Sequence, residues 1–296
     1  MTLQSILATT DFSPRSEQAV ERAAMLAQQH KAALHLLHVL PPISWQMFGR
    51  AFVEHPLVTE KQLYDAASKR LAETAQACSQ RHAIPVQSQV ETGWPHERIG
   101  EYARNNGIGL TVLGAHAGNL GPDMYIGSTV LRLLHGDALP VLVVQVAPRA
   151  PYRSLLAAID FSDISSAALD LGMVLAPDAA VHAVHVYDIL FEGKMRYAGV
   201  GDDVIGQYHA AAEKEAAQLM QDFVAEKSGQ RHITPVVRDG YPARTILDEA
   251  GMLQADLIVM GKQGRSGLEK LILGSVTEGV LYGLDRDLLV VKEHAA

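Results

Sequence analysis

The segment Ala255-Asp-Leu-Ile-Val-Met-Gly-Lys-Gln-Gly-Arg-Ser-Gly-Leu-Glu-Lys-Leu-Ile-Leu-Gly-Ser275 decides how the chain is read. Its first six residues are an apolar run of strand type and the residues after it, 276–282, have helical character, so the order is strand, glycine-rich loop, helix. Gly261 and Gly264 stand three apart, and after nine further residues comes the pair Gly274-Ser275. Glycine lets the backbone approach a ligand closely. A helix opening at Gly274-Ser275 offers unpaired N–H groups and the positive end of its dipole. Lys262, Arg265 and Lys270 set three cations against one carboxylate, Glu269, a balance suited to a polyanion such as a triphosphate. The plainer alternative is a surface turn with incidental glycines. Neither a Walker A loop nor a Gly-x-Gly-x-x-Gly fingerprint is present.

The same segment has a twin upstream. Gly114 precedes Gly261 by 147 residues, and Gly127-Ser128 precedes Gly274-Ser275 by the same interval. Gly93-Trp-Pro recurs as Gly240-Tyr-Pro and His38-Val39 as His185-Val186, again at 147, while Asp11-Phe-Ser recurs as Asp160-Phe-Ser at 149. One register held across five motifs implies an internal duplication. Each copy reads β-α-β-α-β-α-β-α-β, the pattern of a doubly wound parallel sheet. In the first copy the expected strands are 5–10, 33–40, 84–91, 110–113 and 141–146. The expected helices there are 14–27, capped by Ser13, then 59–81, 97–105 and 127–134. Residues 41–56 are irregular and apolar, with Trp45, Met47, Phe48 and Phe52. The proline-bearing stretch 147–151 reads as a linker, so the expected domains are 1–148 and 152–296.

Composition narrows the function classes. The chain has 296 residues, a net charge of -8, a pI near 5.9 and no Lys/Arg run that could follow a nucleic-acid backbone. Cys78 is the single cysteine, which excludes an intrachain disulfide and fits a reducing compartment. No basic leader and no apolar run of about 18 residues appears, so a cytoplasmic protein without a membrane span is expected.

In a doubly wound sheet, ligands bind beyond the carboxyl ends of the strands where strand order reverses. If the first strand is central, with the second and fourth on its two sides, that crevice in the second copy is bounded by Asp160, Val186 and Gly261. Asp160 also has a plainer reading as a helix-flanking residue.

The spacing Gly-x2-Gly-x9-Gly-Ser resembles the ATP-binding motif of the universal stress protein family, and both copies resemble its domains over almost their whole length. The resemblance implies two five-stranded parallel sheets of order 3-2-1-4-5, paired as an intramolecular pseudo-dimer with their terminal strands near the interface; a homodimer is also open. It implies ATP, with or without Mg²⁺, as ligand. Asp160 would face the adenosine and the Val186 backbone the adenine edge, while Gly261, Gly264, Gly274, Ser275 and Val276, with Lys262 and Arg265, would hold ribose and phosphates. Asp11, Val39, Gly114, Gly127 and Ser128 form the corresponding, weaker set. There the loop departs from the pattern: Ala117 replaces the second glycine, Pro122 stiffens it, Asp123 adds negative charge, and no Lys or Arg lies between Gly114 and Ser128. One ATP per chain, in the second copy, is the expectation.

No catalytic or metal-binding set is expected. His35 and His38, repeated as His182 and His185, are three apart on strands and point to opposite faces, which argues for packing over chelation. His116 has no second ligand nearby, and neither a Gly-x-Ser-x-Gly elbow nor a His-Glu-x-x-His pair occurs. The leading expectation is an ATP-binding regulatory protein of the stress response, not an enzyme, with weak hydrolysis left open. The alternatives are a slow ATPase or nucleotidyl-transfer enzyme at the same crevice, and a module for an apolar, lipid-like ligand marked by Trp45, Phe48, Phe52, Phe191, Met195 and Tyr197.

Overall fold

The computed structural model describes residues 3–42, 59–115, 126–136, 140–187, 192–227, 229, 231–262 and 273–292. The chain divides into two compact units, Met1–Pro151 and Tyr152–Ala296. In the first unit the order is β1 (Ser5–Thr9), α1 (Pro14–His30), β2 (Ala33–Leu40), α2 (Glu60–His82), β3 (Val86–Thr92), α3 (Pro95–Asn105), β4 (Leu110–Gly114), α4 (Ser128–His135) and β5 (Val141–Val144). The second unit contains β6 (Ser154–Ala158), α5 (Asp163–Leu175), β7 (Ala180–Tyr187), α6 (Glu192–Tyr197), α7 (Asp202–Lys227), β8 (Ile233–Asp239), α8 (Pro242–Met252), β9 (Leu257–Gly261), α9 (Ser275–Tyr282) and β10 (Asp287–Val291).

Each unit is a five-stranded parallel sheet, β3-β2-β1-β4-β5 in the first and β8-β7-β6-β9-β10 in the second. This is the expected 3-2-1-4-5 order. The central strand pairs on both sides: Ser5 opposite Ala33 and Ile6 opposite Leu110 for β1, Ser154 opposite Ala180 and Leu155 opposite Leu257 for β6. Helices cover both faces, α1 packing with α2 and α3 with α4, so the inner strands are wrapped and read as unbroken apolar runs. Ile6, Leu7, Leu155 and Leu156 are fully buried at these centres.

Local chemistry sets where the helices begin. Ser13 and Ser162 accept from the N–H groups of Ser16 and Ser165, Pro14 suits the first helical position, and Thr59 with Gln62 completes a capping box on α2. Helix α3 starts at Pro95 instead of the expected Glu97, for the same reason that Pro14 opens α1. The strand expected over 84–91 runs Val86–Thr92, and β5 ends at Val144, short of the expected 146. Gly93 (φ 140°) and Gly240 (φ 123°) turn the chain into α3 and α8 in a region that side chains avoid. Cys78 is buried on α2, where loss of solvation pushes its thiol up to about 11.

Candidate functional site

Beyond the carboxyl ends of β6, β7 and β9 lies a cavity of about 240 Å³, bounded by strand ends, by Pro242 and Ile246 of α8 and by the start of α9. Asp160, Val186, Gly261, Gly274, Ser275 and Val276 all line it. Three distant stretches therefore meet at the reversal of strand order, as a doubly wound sheet requires. Gly264 and Arg265 lie outside the described residues, as do Lys270 and Glu269. Lys262 is described but does not join the others: its side chain is 3% exposed and is not among the cavity's lining residues. Its backbone instead supports the site, Lys262 N–H donating to Val291 and its carbonyl accepting from Gly274 N–H at 2.9 Å.

Asp160 follows β6 in a tight elbow. Ser162 donates to Asp160 Oδ1 from its amide at 3.1 Å and from its hydroxyl at 2.6 Å, so this oxygen is held in place. Between them Phe161 adopts φ 63°, left-handed for a bulky residue, at a cost of about 1–2 kcal/mol. The strain is offset by tertiary contacts. His185 Nδ1 lies 2.7 Å from the Ile159 carbonyl, and only its N–H can donate there; its ring packs on Phe161 with centroids 4.4 Å apart.

Helix α9 is the third component. Its N-cap is Gly274, with no side-chain cap, in contrast to α1, α2 and α5. The N–H donors of its first turn open toward the cavity that Ser275, Val276 and Thr277 line, a ready anion site. Thr277 anchors the turn by donating to the Gly261 carbonyl at 2.9 Å. Gly274 has φ -61° and ψ 143°, an ordinary extended conformation, so a glycine is not needed there for positive φ; only the space a side chain would fill is at issue.

The first unit repeats the construction. A cavity of about 250 Å³ is lined by Asp11, His38, Val39, Gly114 and Gly127, with Pro95 and Ile99 as its wall; Ser128 is not among the lining residues. Ser13 holds Asp11 Oδ1 from its amide at 3.0 Å and its hydroxyl at 2.5 Å, Phe12 has φ 63°, and His38 Nδ1 is 2.7 Å from the Thr10 carbonyl. Ala117, Pro122, Asp123 and His116 lie outside the described residues. Helix α2 supplies a cation that the loop sequence does not contain: Arg70 stacks 4.6 Å above the Phe12 ring and donates to the Phe12 carbonyl at 3.1 Å. Burial holds His38 below the ordinary imidazole range; the Thr10 carbonyl and Asp11 oppose this, and Arg70 adds to it.

The four strand histidines divide by face. His35 packs on α3 through the Tyr102 hydroxyl at 3.0 Å, while His38 and His185 line the two cavities, a role that sequence reasoning missed. The signal was there: His-Val recurs at the same 147-residue interval as the glycines. Among the described residues no three His, Cys, Asp or Glu side chains cluster to hold a metal, and no helix is long and apolar enough to cross a membrane.

Comparison with known proteins agrees with this geometry. A model of the universal stress protein family matches residues 2–145 and again 151–292. A universal stress protein of Mycolicibacterium smegmatis is 28% identical over 305 residues, covering 97% of this chain and 96% of the relative. One from Methanocaldococcus jannaschii is 34% identical over 145 residues, 48% of this chain and 83% of its own length. The crystal structure of a universal stress protein from Archaeoglobus fulgidus superposes with a TM-score of 0.70 at 19% identity, covering 99% of both chains, and so shares the fold. Two matches in succession, each spanning one five-stranded unit, mean that the chain belongs to the universal stress protein family as a tandem of two of its domains.

Proposed function

We propose that this chain is a cytoplasmic, nucleotide-binding regulator of the universal stress response that holds one ATP, with Mg²⁺ on its phosphates, in the crevice of the second unit. The observation that carries the reading is the uncapped start of α9, which shares one cavity with the fixed carboxylate of Asp160 and the backbone of Val186. An anion belongs at the first, a sugar or base donor at the second, and a planar edge at the third. Val184, Ile246 and Met260 supply apolar walls for a base. Asp160 acts as a fixed acceptor, because Ser162 engages its Oδ1 twice; this favours binding over proton transfer. The chain's own residues thus orient the nucleotide, and occupancy is read out as conformation or assembly instead of turnover.

Calorimetric titration of the full chain with Mg-ATP, with phosphate release followed in the same sample, tests this. One ATP per chain with release far below 1 s⁻¹ is expected; turnover above about 1 s⁻¹ would make it an enzyme. A second reading rests on a separate cavity of about 330 Å³ in the first unit, lined by Leu40, Pro41, Pro42, Leu63, Glu60 and Thr92, which suits an apolar ligand. Mass spectrometry of what co-purifies distinguishes the two. The aromatic residues Trp45, Phe48, Phe52 and Phe191 named for such a ligand lie outside the described residues, and Tyr197 is 95% exposed.

A further inference from the structure

We infer that His185 is a positioning residue for Asp160: its ring holds the left-handed elbow that aims the carboxylate into the crevice. The inference rests on the nucleotide reading above for what Asp160 meets, but not for the elbow itself. Phe161 is neither Gly nor Asn, so φ 63° is strained; the bond from the Ser162 N–H to the Asp160 carboxylate closes the turn locally, and tertiary contacts hold the backbone on either side of it. His185 touches the residue on either side of Asp160. Its Nδ1–H reaches the Ile159 carbonyl at 2.7 Å, and its ring packs on Phe161 at 4.4 Å and 43°. Ser162 then fixes the carboxylate from beyond.

The first unit repeats the arrangement. His38 brackets Asp11 in the same way, 2.7 Å from the Thr10 carbonyl and 4.4 Å from the Phe12 ring. The outer flanks of the two elbows differ: Arg70 lies over Phe12, whereas Phe223 meets Phe161 edge-on at 6.1 Å. The elbow stays the same while its outer contacts change, so what sets it lies among the contacts both share: the serine that grips the carboxylate and the histidine that holds the backbone on either side of the bend. A ring that donates to a backbone carbonyl through Nδ1–H is fixed in rotation, which is what a positioning group needs.

Two variants separate donor from ring. His185→Phe keeps a ring able to pack on Phe161 and removes the donor; His185→Asn keeps a donor near Nδ1 and removes the ring. Affinity for Mg-ATP, exchange of the Ser162 amide and the thermal midpoint are measured for both. The expected result is an affinity loss of about tenfold in His185→Phe, partly restored in His185→Asn, with the Ser162 amide exchanging about tenfold faster in His185→Phe. In an Asp160→Ala background, His185→Phe should cost no further affinity, because its effect passes through Asp160. An equal loss in that background, or unchanged affinity with unchanged Ser162 exchange, overturns the inference. If the unsubstituted chain binds no ATP, the proposed function fails on its own. The Ser162 exchange, which needs no ligand, still decides the elbow: unchanged exchange in His185→Phe rejects it.

Discussion

The two crevices of this chain have nearly the same volume, about 250 and 240 Å³, and the same elbow down to the φ of its phenylalanine, yet their surroundings differ. What differs is placed around the elbow. Arg70 flanks the first and Phe223 the second. At the start of the last helix, Thr129 and Val130 of the first unit stand where the second has Val276 and Thr277, so the hydroxyl that ties Thr277 to Gly261 has no counterpart at Val130. The backbone framework has been kept through the duplication while the side chains that confer charge have diverged. An asymmetry in ligand binding is therefore looked for in the chemistry around the elbow, since the two volumes are nearly equal.

The largest expected effect breaks the comparison most directly. Gly274→Val puts a branched side chain at the mouth of the uncapped α9, whereas Gly127→Val does the same at α4, whose N-cap has an almost identical φ of -60°. Neither change strains the backbone, so both variants should fold. Loss of one or two charge-assisted phosphate contacts weakens binding by roughly ten- to a thousandfold. Titration with Mg-ATP should show that loss for Gly274→Val and parental affinity for Gly127→Val. Two equivalent sites, or loss through Gly127 alone, would end the asymmetry argument.

A smaller effect concerns how closely the first helix of each unit approaches its sheet. Gly172 on α5 lies over β6 and β9, and a Cβ there would stand 2.8 Å from Val259 Cγ2 and 2.9 Å from Leu155 Cδ1. The first unit has Ala23 at the corresponding place, 149 residues earlier, fully buried without glycine. Gly172→Ala gains about 1 kcal/mol of helix propensity but overpacks at a cost of about 1–3 kcal/mol. The net expectation is destabilisation by about 1 kcal/mol, read from denaturant midpoints. A stabilised variant would mean that α5 can move outward to the spacing of α1.

Much of this was legible in the sequence because duplication repeats the residues that backbone geometry demands. Gly93 and Gly240 recur at turns with positive φ, and Asp-Phe-Ser recurs at the elbow. The doubly wound class followed from the alternation of strands and helices, the strand order from the family resemblance, and the lining role of Asp160, Val186 and Gly261 from where strand ends must lie. The rest depended on long-range packing that spacing does not encode. Arg70 from the middle of one long helix, and Phe223 from near the end of another, reach their elbows by a helix rotation that is set only by the folded core. Lys262 read as one of the cations of a phosphate loop, but in the fold it is buried just past the end of a buried strand. His38 and His185 read as packing residues, not ligands, but the elbow carbonyls they hold are 28 and 26 residues away in sequence, beyond what spacing could reveal.

The smallest effect is the pH dependence of the first unit. Burial lowers both His35 and His38 from the ordinary imidazole value of 6.5, so in the folded first unit both stay neutral where the unfolded chain would take up a proton. The unfolded state then binds more protons, and stability rises with pH through that window. The stabilising difference is fully present above about pH 6.5 and is lost as pH falls from there through the lowered folded values. His38→Asn retains a donor for the Thr10 carbonyl but cannot titrate, and should flatten part of this slope. Urea midpoints taken between pH 7.5 and 5 should therefore fall more steeply for the parent than for His38→Asn. If the two slopes coincide, His38 is not held neutral by burial, and the Arg70 side of the first crevice is more open to water than its packing implies.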